Sequence, residues 1–228
     1  MVTQQPRSNQ IPPLENGDRL SRHEFERRYA ASPDVNKAEL IEGVVYVASP
    51  LRFQGHAEPH SKLVIWLGNY QIATPGIMVG IEPTILLDQD NEPQPDGVLF
   101  IEPDRGGQCR FTTDDYIAGA PELIAEVAAS SAAYDLHDKK KAYRRNGVKE
   151  YIVWQVLENQ LHWFSLHEGE YVPLRSDADG IIRSQVMPGL WLAVAALLTG
   201  DMVKVLAVLQ AGLNSPEHTE FLNSLNLL

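Results

Sequence analysis

The chain has 228 residues, with 19 Lys and Arg against 30 Asp and Glu, a net charge of −11, and 44% apolar residues. One core of this size buries roughly 70% of the unfolded surface, so neither disulfides nor a structural metal is needed to hold it. The single cysteine, Cys109, excludes an intramolecular disulfide. The net acidity argues against a general nucleic-acid coat protein, which would be basic. The longest strongly apolar stretch, Leu190 to Leu198, is far short of the ~20 residues a spanning helix needs. No membrane segment is expected, and a polar start without an apolar h-region points to a cytoplasmic protein.

Residues 1–19, with Pro6, Pro12, Pro13 and Gly17, read as a flexible arm. Ser21-Arg22-His23-Glu24 has capping-box spacing and opens a short helix to about Ala30. Residues 38–47 read as two strands around a turn at Glu42-Gly43. Residues 57–72 form the next helix. Its apolar stripe runs through His60, Leu63, Val64, Leu67 and Gln71, with His60 at the edge. Strands follow at about 77–81 and 84–88. Gly97 to Ile101 and Pro121 to Ala128 are continuous apolar runs, as expected of strands buried on both faces. A helix from Tyr134 closes at Gly147, and a strand covers 148–156. Three more strands are expected near 160–166, 170–174 and 180–186. Three short helices are expected at about 191–198, 201–211 and 216–226. This order gives an α/β layer with a mixed sheet. The expected division is an arm at 1–19, one domain at 20–190 and a helical tail at 191–228 packed on it.

Glu126 stands out. It sits inside Leu123-Ile124-Ala125-Glu126-Val127-Ala128, where a carboxylate is costly unless paired, protonated or metal-bound. The plainer reading puts it on a half-exposed face beside a lysine. Asp96 follows Pro95 and enters a buried strand; alone it reads as a turn residue. Between His137 and Lys149 lie six Lys or Arg and one acid. In so acidic a chain this block is the one candidate phosphate-contacting surface, through Lys140, Lys141, Arg144 and Arg145. The alternative is a solvated helix face, with Asp135 and Lys139 as an ordinary i,i+4 pair. His56 and His60 are also spaced i,i+4, as in some metal sites, but no third ligand is evident. Asp96 and Glu126 together offer two hard oxygen ligands for Mg²⁺ or Mn²⁺. With a nearby lysine to orient water, that is a kit for phosphodiester hydrolysis. There is no P-loop, no Gly-x-Gly-x-x-Gly and no Gly-x-Ser-x-Gly, so nucleotide cofactors and an ordinary serine hydrolase lack support.

The succession AELIEGVVYVASP, His60, QPDGVLF, PELIAEVAASS, YDLHDKKKAYRRNGVKEYIVW and MPGLWL resembles the Uma2 family over about residues 20–200. That bacterial family is abundant in cyanobacteria and is similar to PD-(D/E)xK nucleases. The resemblance implies a restriction-endonuclease-like core of helix, three antiparallel strands, helix and strand, with extra C-terminal strands and a helical tail. It implies Asp96 as the PD aspartate and Glu126 as the acid of the E-x-K element. The usual lysine position holds Ala128, and the matching lysine is Lys139 on the following helix. Glu39 matches an N-terminal acid able to join the metal site, and His60 a histidine of the first core helix. The expected activity is Mg²⁺- or Mn²⁺-dependent hydrolysis of DNA, with Asp96, Glu126, Lys139, Glu39 and His60 catalytic. A homodimer would suit cutting of two strands. The competing expectation is an inactive nuclease-fold module that binds nucleic acid or a protein partner.

Overall fold

The computed structural model describes residues 11–129 and 132–226. The strands are β1 (Ala38–Ile41), β2 (Val44–Val47), β3 (Ile77–Ile81), β4 (Ile85–Leu86), β5 (Gly97–Ile101), β6 (Arg110–Phe111), β7 (Ile117–Ala118), β8 (Leu123–Ala128), β9 (Glu150–Gln155), β10 (Gln160–His167), β11 (Glu170–Pro173), β12 (Ile181–Arg183) and β13 (Trp191–Ala193). The helices are α1 (Arg22–Ala30), α2 (Glu58–Ala73), α3 (Ala132–Tyr134), α4 (Lys140–Asn146), α5 (Val194–Thr199), α6 (Met202–Leu213) and α7 (Pro216–Asn226). Two π-helical turns lead into helices: Phe53–Ala57 runs into α2, and Asp135–Lys139 joins α3 to α4.

Six strands form the main sheet in the order β11-β10-β9-β8-β5-β3. Only the β8–β9 pair is parallel; the α3–α4 crossover between them makes that possible. Because side chains alternate along a strand, each strand feeds two cores. Leu123, Ala125 and Val127 of β8 and Ile152 and Trp154 of β9 pack with Leu63, Trp66, Leu67 and Tyr70 of α2. Ile124 and Ala128 of β8 and Tyr151 and Val153 of β9 pack with Tyr143 of α4 on the opposite face. Glu126 shares the second parity and therefore points toward the α3–α4 side. The expected continuous burial holds: β8 is buried at all six positions.

Several expectations are corrected in detail. Trp191–Ala193 is a strand, with the helix starting only at Val194. The register Ile181↔Ala193, Ile182↔Leu192, Arg183↔Trp191 ties it to β12. The capping box does not form: Ser21 makes no side-chain cap hydrogen bond, and Glu24 is held by Arg27 and Arg28. The buried stripe of α2 is Pro59, Leu63, Trp66, Leu67 and Tyr70, about one position off the expected one. Residues 1–10 of the expected arm lie outside the described residues. From Leu14 on, that stretch is packed: Leu14 joins a third core with Phe25, Leu40 and Val45, and the Gly17 N–H donates to the Val45 carbonyl at 2.8 Å.

The turn at Glu42-Gly43 is as expected, with φ of 52° and 73°. Both residues are left-handed, which suits a two-residue hairpin. Glu42 tolerates this because its N–H donates to Asn91 Oδ1 at 2.8 Å. At the other end, α6 packs on α2 and β13. Glu150, fully buried, accepts from Trp163 Nε1, Ser184 Oγ and the Gln185 N–H at 2.9, 2.8 and 2.7 Å, which fixes the loop after β12 on the sheet.

Glu92, bridged to Leu40, has a buried Oε2 without a hydrogen-bond partner among the described residues. Burial, then the Glu26 carboxylate, pushes its carboxyl from 4.5 up to about 8, against the pull of Arg22. A raised carboxyl stabilises the fold at low pH and loses that contribution as pH rises from about 4.5 through about 8. Glu92→Gln, which stays neutral, should therefore match the wild type near pH 5 and unfold at a higher temperature near pH 8. Thermal unfolding across that range measures the divergence.

Candidate active site

Glu39 on β1, Asp96 just before β5, Glu126 on β8, and Asp135 and Lys139 on the second π-helical turn are all buried, with at most 8% of any of them exposed. Lys139 Nζ is 2.9 Å from Glu126 Oε1, 2.9 Å from Glu39 Oε1 and 3.7 Å from Asp135 Oδ1. One ammonium thus joins the N-terminal hairpin, the central strand and the helix. Tyr143, four residues after Lys139, donates its hydroxyl to Glu126 Oε1 at 2.8 Å. The remaining Glu39 lone pairs reach back to the sheet: Oε1 accepts from the Gln94 N–H at 2.7 Å. Asp96 is pinned at its neighbour strand, with Oδ2 accepting from the Val127 N–H at 2.7 Å. Its own N–H lies 3.5 Å from Glu126 Oε2.

A second set of contacts surrounds Asp96. His56, on the first π-helical turn, places Nε2 3.2 Å from Asp96 Oδ1 and Nδ1 3.0 Å from the Val127 carbonyl. His60 Nε2 lies 2.8 Å from the Asp96 carbonyl. Both π-helical turns therefore carry residues of the cluster, a common place for such turns.

The electrostatics follow from burial of four carboxylates around one lysine. Burial alone would lower Lys139, but Glu126, Glu39 and Asp135 hold it well above its ordinary value, so it stays charged. Glu126 is pushed up to about 8; burial dominates, Lys139 opposes it, and Asp96, Asp135 and Glu39 add to the rise. Asp96 is lowered despite its burial, because His56, the Val127 N–H and Lys139 favour its anion. Hydrogen bonding to Asp96 raises His56 in spite of desolvation. Lys37, partly desolvated at the edge, is raised by Glu39, Asp96 and Glu82. The cluster crowds four carboxyls into a low-dielectric place, where Glu126 takes up a proton more readily than a free carboxyl. Crowded hard oxygen donors fit a divalent cation, which would displace that proton.

The sequence-predicted residues Glu39, Asp96, Glu126, Lys139 and His60 all meet here. The four expected phosphate contacts do not lie free. Lys141 pairs with Glu42 at 2.8 Å, Arg145 with Glu42 and Asp88 at 2.7 and 3.0 Å, and Arg144 with Glu170. Lys140 stands 3.6 Å over the Phe164 ring. The basic block is balanced by acids brought from β-hairpin turns and loops distant in sequence, which no local charge count could show. Sequence reasoning gave Asp135 only a surface pairing and assigned nothing to Tyr143 or Tyr134. The signal for the first two was their i,i+4 spacing from Lys139. Tyr134, whose buried hydroxyl has no hydrogen-bond partner among the described residues, had none.

The sequence profile described as "Uma2: Putative restriction endonuclease" matches residues 22–195. The chain belongs to the Uma2 family. A crystal structure of "a putative nuclease belonging to DUF820" from Anabaena variabilis is similar in fold, with a TM-score of 0.58 and 15% identity. The match covers 76% of this chain and 96% of that one. A comparison with curated proteins finds no match. The fold of this Uma2 chain is thus the nuclease-like mixed sheet flanked by helices. Among the described residues no helix is long and apolar enough to cross a membrane.

Removing Lys139 leaves its carboxylates buried without their counter-ion. Lys139→Ala should cost about 3–5 kcal/mol in urea unfolding. Lys140→Ala, which loses one contact with the Phe164 ring and no buried counter-ion, should cost only about 0.5–1 kcal/mol. The Lys139→Ala loss should shrink at pH 5, where carboxyls can take protons instead.

Proposed function

We propose that this Uma2 chain is a metal-dependent endonuclease that hydrolyses DNA phosphodiester bonds. The observation that carries the reading is the convergence of Glu39, Asp96, Glu126 and Lys139, from four separate segments, on one buried ammonium–carboxylate cluster. Two acids and a lysine, here Asp96, Glu126 and Lys139, are what a PD-(D/E)xK-like centre uses, and perturbed buried groups of this kind mark candidate functional sites. Asp96 and Glu126 would hold a Mg²⁺ or Mn²⁺ ion, with Glu39 as the third carboxylate. When bound, the ion polarises the scissile phosphate and acidifies a water.

The chain's own groups do the rest. Lys139 keeps a positive charge beside the carboxylates, where it orients the attacking water and offsets charge developing on the phosphate. Tyr143 fixes the Glu126 carboxylate by donating to Oε1, so that Oε2 stays directed toward Asp96. The Val127 N–H fixes Asp96 in the same way. His60 holds the Asp96 backbone through its carbonyl and sets where the strand begins. Lysine here comes from the helix after Glu126 rather than from the strand, where Ala128 is buried in the second core.

A second reading has one observation in its favour. Lys141, Arg144 and Arg145 are each committed to acids of the same chain, which weakens the case for a broad phosphate-binding face. That favours a nuclease-fold module that binds a partner without cutting.

Incubation with supercoiled plasmid and with single-stranded DNA, in Mg²⁺, Mn²⁺ or EDTA, separates the two. The wild type should cleave only with metal. Asp96→Ala and Lys139→Ala should each lose at least ~100-fold in rate. Equal cleavage by a folded Asp96→Ala would sink the nuclease reading at this site. Salt-sensitive DNA retention without turnover would select the binding module.

A further inference from the structure

The nuclease reading uses Asp96 and Glu126 as oxygen donors and leaves His56 without a task. Its geometry is specific. A carbonyl only accepts, so the 3.0 Å contact between Nδ1 and the Val127 carbonyl puts the ring hydrogen on Nδ1. The neutral ring then carries its lone pair on Nε2. That nitrogen faces Asp96 Oδ1, an atom that also only accepts, at 3.2 Å. Nε2 is buried. A positive species has to stand between it and the Asp96 carboxylate: either a proton, which makes an imidazolium–carboxylate pair, or a metal ion.

The spacing suits a metal. Two donors about 2.1 Å from one ion and at right angles around it are about 3 Å apart. His60 donates Nε2–H to the Asp96 carbonyl, so a third donor from it would be Nδ1; His56, His60 and Asp96 are grouped with one ligand atom of each within 4.8 Å of the others. The surroundings match those of ligating histidines, whose second ring N–H is steadied by a backbone carbonyl. Here the Val127 carbonyl does this for His56.

We propose that His56, His60 and Asp96 make the metal centre a nitrogen-containing site that selects a first-row transition cation over Mg²⁺. Imidazole suits such cations, whereas Mg²⁺ keeps to oxygen and water. The proposal rests on the metal-binding part of the nuclease reading and replaces its all-oxygen ligand set. It also explains why the helix-entry turn at 53–57 is π-helical: that turn carries His56 down onto β8.

The test needs no DNA. Full-length protein is loaded with Mn²⁺, and pulsed electron paramagnetic resonance looks for ¹⁴N modulation of the bound ion. The expected result is clear nitrogen modulation in the wild type, retained against a hundredfold excess of Mg²⁺. His56→Asn should lose that modulation and bind Mn²⁺ at least tenfold more weakly. His60→Asn, further from the strand, serves where the first variant folds poorly, and should weaken binding in the same direction. Bound Mn²⁺ without nitrogen modulation, or ready displacement by equimolar Mg²⁺, would overturn the proposal. Either result would still leave an Asp96–Glu126 nuclease for the plasmid assay to decide. Absence of any Mn²⁺ binding by the wild type would overturn it as well, and would identify the His56–Asp96 contact as a proton-bridged pair.

Discussion

An ammonium with about a twentieth of its side chain exposed has to find its solvation inside the protein, and Lys139 finds it in three carboxylates. Each comes from a different part of the chain's architecture. Glu39 belongs to the N-terminal hairpin, Glu126 to the central strand and Asp135 to the same π-helical turn as Lys139. The hairpin has its own small core around Phe25 and Leu40, but at the site it is tied to the sheet through Glu39, by way of Lys139 and the Gln94 N–H. Without that ammonium the three elements would bring like charges together in the interior. The approach of Glu39 to the sheet and the charge state of the cluster depend on it.

The same constraint links stability to chemistry. Four carboxyls are crowded around Lys139, and Glu126 is raised, first by its burial and then by its acidic neighbours. A core built for stability alone would have placed apolar groups at such positions. Retaining the charges makes sense where a cation or a phosphate group enters the site. Local rules are often broken at functional places, and this is where the chain breaks them most. His56 adds to the pattern, since its Nε2 faces an acceptor rather than a donor.

Much of the fold was legible in the sequence because it rests on short-range rules. Alternation and continuous apolar runs located β5 and β8, Glu42-Gly43 located the hairpin turn, and Gly147 closed the helix with φ of 83°. The site acids were legible through motif order and the resemblance it carries. What failed needed knowledge of partners far along the chain. Trp191–Ala193 reads as helical from its neighbours but pairs with β12. The Ser21 cap lost Glu24 to two arginines. The basic block looked free because Glu42, Asp88 and Glu170 lie 26 to 103 residues away in sequence from the cations they neutralise. His56 carried a metal-like spacing, yet its third partner, Asp96, comes from the far side of α2.

The central claim is that the crowded buried carboxyls around Lys139 and Asp96 form a cation site. The most direct measurement is thermal unfolding of the wild type and Asp96→Ala in EDTA and in rising Mn²⁺. A ligand that binds only the folded state stabilises it progressively as its concentration exceeds the dissociation constant. The account predicts a midpoint that climbs with Mn²⁺ in the wild type and stays level in Asp96→Ala. A wild-type midpoint indifferent to the cation would contradict it.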